Sequence, residues 1–165
     1  HWDPVLYSNY IDELPNHQEE VSMGDLFDED YVQKYKGMVK EKGIYTWADE
    51  SDYCDAAKSL AWIDREENGY FIIVPKTIED FRQEGIAQHH CVFWCRYFLS
   101  VTMHDSIIVF LRKEKQTSYV TIEYDYASFK VKQAFGKNNK KIPAELYQYV
   151  EELGKRLYKE RILFG

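Results

Sequence analysis

The sequence predicts an α+β domain: an antiparallel β-meander of about four strands packed against helices, including a long C-terminal one. Two observations carry this. Between Ser106 and Phe135, three short runs alternate with a period of two and are joined by short connections, which favours hairpins over crossovers. On either side, apolar residues recur at spacings of three and four, most clearly at Leu146, Val150, Leu153 and Leu157. Helices grouped around a meander, rather than alternating with strands, make an α+β domain with helices on one sheet face.

The elements follow in chain order. Residues 1–25 contain Pro4, Pro15 and Gly24, lack sustained periodicity, and read as an extended arm or linker. Residues 26–165 read as one domain, and a chain that begins with His1 reads as a fragment of a longer protein. Asp28–Lys42 reads as a helix with Tyr31, Tyr35 and Met38 on one stripe and Gly43 just past its end. Ser51–Glu66 reads as a second helix, capped by Ser51 and ended by Asn68-Gly69. Tyr70–Val74 is β-rich and closed by Pro75. Thr77 and Asp80 form a capping-box pattern for a helix that Gly85 weakens or ends. Cys91–Thr102 is apolar on every side, and at that length a buried helix is favoured over a strand. Strands are expected over Ser106–Leu111, Ser118–Tyr124 and Ser128–Phe135, and Pro143 opens the last helix, which runs to Leu163.

Composition narrows the function classes. The length of 165 residues suits one domain with a real core. Aromatic residues at 16% are read chiefly as packing and secondarily as a ligand-stacking surface. Cys54, Cys91 and Cys95 are too few for a disulfide framework and suit a reducing, cytoplasmic compartment. No apolar run reaches membrane-spanning length, so no membrane partner is expected. A net charge of −7 argues against whole-surface binding to nucleic acid. Yet Arg112 to Lys141 carries eight basic against three acidic side chains, a local excess on an acidic protein. Arg112, Lys130, Lys132, Lys137, Lys140 and Lys141 form the main part of that expected basic face.

The block from Glu84 to Lys141 holds the candidate chemistry, in four features. A helix starting near His90 and Cys91 would set backbone N–H groups beside the thiol and favour thiolate, making Cys91 a candidate nucleophile and His90 its assistant. Buried inert side chains are the plainer reading. Cys91, Cys95, His89, His90 and His104 lie near one another, but no zinc spacing is present, so no metal and no cofactor are expected. Glu123 lies on the middle strand, and its environment depends on the turn at Tyr126. A two-residue turn pairs it with Lys130 as an exposed ion pair. A three-residue turn puts it on the face of Val131 and Gln133, partly desolvated as general acid–base work asks. Both registers stand at this point. Finally, Gly136 to Lys141 is a turn by its own chemistry that could also hold a phosphate beside a helix N-terminus.

A family pattern runs through these residues. Val74-Pro75, Glu84-Gly85, His90-Cys91-Val92, Ile107-Ile108 through Leu111-Arg112, Thr121-Ile122-Glu123 and Gln133-Ala134-Phe135-Gly136-Lys137-Asn138 stand in the order and spacing of the PcfJ-like family. The chain resembles the C-terminal domain of that family over roughly Tyr70 to Val150. The resemblance implies a bacterial cytoplasmic setting on conjugative plasmids, phages and other mobile elements. It also implies shared interest in His90, Cys91, Glu123, Gln133 and Asn138, and it supplies no reaction. Phe93, Trp94 and Cys95 stand where smaller residues would be expected. The leading expectation is an accessory domain that binds nucleic acid, another phosphate-bearing ligand or a protein partner through the basic face, with Gln133 and Asn138. The alternatives are a small enzyme built on His90, Cys91 and Glu123, and a purely structural polar network.

Overall fold

The computed structural model describes residues 45–164 and Ile11. The expected arm, apart from Ile11, and the expected helix Asp28–Lys42 lie outside these residues. The unit that follows Tyr45 orders as α1 (Trp47–Leu60), β1 (Arg65–Glu67), β2 (Tyr70–Ile73), α2 (Ile78–Gln88), α3 (Tyr97–Thr102), β3 (Ser106–Arg112), β4 (Val120–Asp125), β5 (Val131–Phe135) and α4 (Ala144–Phe164). The five strands form one antiparallel sheet in sequence order. The α+β class and the long final helix stand as expected, with one strand more than anticipated. Among the described residues no helix is long and apolar enough to cross a membrane.

The extra strand corrects the second helix. Helix α1 begins earlier than Ser51, because Thr46 caps it and forms a capping box with Asp49. It ends at Leu60, a 3-10 turn covers Ala61–Ile63, and β1 pairs with β2 across Asn68-Gly69. Both turn residues have positive φ, 51° and 78°, as the tightest hairpins require. The Asn-Gly pair therefore joins two strands instead of stopping a helix.

Helix α2 has the expected Thr77–Asp80 capping box, and it continues through Gly85 to Gln88. Gly85 marks a close approach. A Cβ there would sit 3.1 Å from both the His90 carbonyl oxygen and the Trp94 ring. The Cys91–Thr102 helix is cut to its second half. Val92 and Phe93 enter the core, Arg96 takes a left-handed conformation at φ 57°, and only Tyr97–Thr102 is helical.

Helices cover both faces of the sheet, not one. Ile107, Val109, Leu111, Ile122 and Tyr124 share one face, under α4, where the Tyr124 hydroxyl donates to the Val150 carbonyl at 2.7 Å. The other face carries Phe110, which meets Phe81 of α2; Phe81 in turn meets Tyr53 of α1 and Phe98 of α3. Double coverage explains why β3 is buried from Ser106 to Leu111.

Candidate functional site

The register at the Tyr126 turn places Glu123. Asp125 N–H donates to the Lys130 carbonyl, so residues 126–129 form a four-residue loop, and Tyr124 stands opposite Val131. Glu123 then stands opposite Gln133, because Lys132 is an extra residue in β5. This bulge differs from both expected turns. It gives the facial outcome of the three-residue alternative for Gln133 and removes the Glu123–Lys130 pair. Lys132 and Gln133, though adjacent, both reach toward Glu123.

Glu123 is 9% exposed. Its Oε1 accepts from the Ser106 hydroxyl at 2.7 Å, and its Oε2 from the Gln133 amide at 2.6 Å. The same Gln133 nitrogen donates to the Tyr97 hydroxyl oxygen at 2.8 Å. Lys132 Nζ lies 3.9 Å from Oε1 and donates to Ser106 Oγ and the Asp105 carbonyl. Burial pushes the Tyr97 phenol up, and the Glu123 charge adds to that.

A second, deeper group begins at Glu84, which is 1% exposed on α2. Its carboxylate accepts from Ser118 Oγ at 2.6 Å, Arg112 Nη2 at 2.9 Å and Thr121 Oγ1 at 3.1 Å. Thr121 Oγ1 also lies 2.8 Å from His90 Nε2. The hydroxyl has one proton, and the charged acceptor is the stronger claimant. Thr121 therefore donates to Glu84, and His90 Nε2–H donates to Thr121. That tautomer leaves Nδ1 as the ring's acceptor, buried and without a partner among the described residues. Burial holds the His90 imidazole below the usual histidine range, opposed in part by the backbone of His90 itself and, less, by the nearby Glu84 charge. That direction favours the neutral ring at pH 7.

These groups meet. His90, Cys91, Tyr97, Thr121, Glu123 and Gln133 line one open cleft of about 60 Å3. Its size suits a small polar group rather than a whole nucleobase. Asn139 lines it too, whereas Asn138 does not. Cys91 is exposed, contrary to the buried inert reading. The local electrostatics expected for it are not present, because no helix starts there: α2 ends at Gln88, with His89 left-handed as its C-cap. One turn on, a hydrogen bond with Cys91, followed by burial, pushes the Cys95 thiol up to about 11.

The expected basic face divides. Arg112 is tied to Glu84, and Lys132 to the Glu123 group. Lys130 is exposed beside the loop. Lys137, Lys140 and Lys141 line a separate cleft. Sequence reasoning missed Glu84, Thr121, Ser106 and Tyr97 as members of the polar groups. A signal for Glu84 was present, since Ile78, Phe81, Glu84, Gly85 and Gln88 make one buried helical stripe with a carboxylate in it.

The family model of PcfJ-like proteins matches residues 25–151. The chain belongs to the PcfJ-like protein family. No curated protein and no solved structure matches it. The PcfJ-like match takes in both polar groups and the cleft between them, and it ends inside α4.

Proposed function

We propose that this PcfJ-like domain carries a small acid–base active site in the His90 cleft, with Cys91 as nucleophile. The supporting observation is convergence: the adjacent imidazole and thiol of His90 and Cys91, a carboxylate from β4 and an amide from β5 line one open cleft. His90 is kept neutral by burial and fixed by Thr121 and Glu84, so its free ring nitrogen is a proton acceptor. Glu123, fixed by Ser106 and Gln133, supplies the negative charge and the orientation on the far wall. The chemistry that fits is addition of the Cys91 sulfur to a small carbonyl group: the S–H bond breaks to His90, the S–C bond forms, and the C=O π pair moves onto the carbonyl oxygen. The setting we assign is a bacterial cytoplasmic protein of a mobile element, on the strength of the family. The rival reading, a basic face for nucleic acid, loses Arg112 and Lys132 to internal partners.

The chain contains its own controls, because burial raises Cys54 and the Cys91 contact raises Cys95. Iodoacetamide labelling of the native protein at pH 7, read by peptide mass spectrometry, is expected to modify Cys91 about tenfold faster than either. His90→Gln is expected to slow Cys91 alone, with a cooperative melting transition retained. Equal rates at the three thiols, or a Cys91 rate indifferent to His90→Gln, would remove the nucleophile from the site.

A further inference from the structure

The lysine cleft shares no lining residue with the His90 cleft and has different chemistry. Its volume is about 500 Å3, within the range of small-ligand sites. Lys137, Lys140 and Lys141 line it together with Gln88 and Ser118, and no carboxylate is among its lining residues.

The loop that presents the lysines is built, not slack. Gly136 N–H donates to the Lys140 carbonyl, Lys140 N–H donates to the Lys137 carbonyl, and Lys141 bridges back to Phe135. Asn138 and Asn139 both take left-handed conformations to close the turn. This folds three like charges into five residues. Among the described residues, none of the three ammonium groups has an ion-pair or hydrogen-bond partner, unlike Arg65, Arg112, Lys132 and Arg156. Bringing like charges together in a concave site is unfavourable unless an anion joins them.

Gln88 is the independent pointer to a ligand. It is 2% exposed, it lines this cleft, and its amide nitrogen has no hydrogen-bond partner among the described residues. A buried amide donor left unpaired costs free energy that a bound acceptor would return. Lysine ammonium groups and an amide donor around a carboxylate-free cavity suit phosphate oxygens.

We infer that this cleft is a phosphate site that takes the terminal phosphates of a nucleotide-sized ligand. A polynucleotide fits the observations less well. The chain carries −7 overall, and Arg112 and Lys132, which would extend a basic track, are bound internally.

The test is calorimetric titration of the full chain with inorganic pyrophosphate, and separately with a twelve-residue oligothymidylate. Pyrophosphate is expected to bind the native protein. K137A/K140A/K141A is expected to weaken it about a hundredfold, as for loss of several charge-assisted contacts. K58A/K155A/K159A makes the same charge change on exposed lysines elsewhere and is expected to leave affinity within about twofold. Both triple variants change surface side chains, and an unchanged melting temperature confirms that each folds. No pyrophosphate binding by the native chain, or equal weakening by the two triples, would overturn the site. Tighter binding of the oligonucleotide than of pyrophosphate would replace it with a polynucleotide surface. Cys91 labelling reads the other cleft, so either proposal can fail without the other.

Discussion

Glu84 shows what a single side chain decides in this fold. On the outer face of α2 it would be an ordinary solvated carboxylate. Inside, it is the common acceptor for Arg112, Ser118 and Thr121, and through Thr121 it sets the tautomer of His90. Removing one partner of a buried ion pair leaves the other charge uncompensated. Glu84→Gln is therefore expected to lower stability by about 3 kcal/mol in urea denaturation, the low end for such a change because Arg112 retains some solvent contact. A loss below about 0.5 kcal/mol, the usual scale of surface substitutions, would contradict this role. His90 supplies a second expectation, in pH. Burial lowers its folded pKa, so the unfolded chain binds the proton more readily. The stabilising contribution is complete above the unfolded value of about 6.5 and is lost as pH falls from there toward the folded value. NMR titration should place the His90 midpoint below about 6.5 in the native protein, and lower still in Glu84→Gln, where the opposing carboxylate charge is gone. A native midpoint above that value would refute the buried neutral ring. His90, Cys91, Glu123 and Gln133 could be picked from sequence because each is a reactive or polar type beside apolar neighbours. The fixing roles of Ser106 and Thr121 could not, since serine and threonine are common surface types whose importance lies in what they face.

At the scale of elements, period was the legible property and register was not. The strands Ser106–Arg112, Val120–Asp125 and Val131–Phe135 lie within two or three residues of where alternation places them. The facing of Glu123 turned on a four-residue loop and the extra residue Lys132, and a period-two pattern holds no information about an inserted residue. Strand β1 escaped notice because three charged residues, Arg65, Glu66 and Glu67, read as the end of a helix. The stretch Cys91–Thr102 had no period to read, and a left-handed Arg96 divides it. Helix α4 offers a test in which propensity and packing predict opposite signs. Gly154 lies in its buried stripe, and alanine in a helix interior ordinarily gains about 1 kcal/mol over glycine. Here the added Cβ would fall 2.4 Å from the Phe129 carbonyl oxygen and 2.8 Å from the Tyr124 ring. Backbone on one side and a fully buried ring on the other leave little room to yield. Gly154→Ala is expected to destabilise by about 2 kcal/mol, the scale of overpacking. A stabilised variant would mean that α4 sits farther from the sheet than this contact requires.

For the molecule as a whole, the run Ile107-Ile108-Val109-Phe110-Leu111 is apolar without alternation because the strand is covered on both faces, which the expected single-face packing did not use, and α4 is the element that supplies the second cover. The family match stops at residue 151, partway along that helix. The packing does not stop there. Leu153 and Leu157 are fully buried, Arg65 makes a two-point contact with Glu160, Arg156 pairs with Glu67, and Arg161 donates to the Tyr126 and Ala127 carbonyls. The last half of α4 thus joins the edge strand β1 to the loop that precedes the bulge. Burial of the two leucines alone is worth about 3–6 kcal/mol, a large share of the 5–15 kcal/mol by which domains are stable. A chain ending at Glu151 should therefore fail to unfold cooperatively, whereas one ending at Arg161 should keep its melting transition and lose only the last four residues, of which Ile162, Leu163 and Phe164 are exposed. Thermal unfolding followed by near-ultraviolet circular dichroism separates the two. If the shorter chain melted like the longer one, the matched segment would be self-sufficient, and α4 beyond residue 151 would be an appendage rather than the lid of the second face.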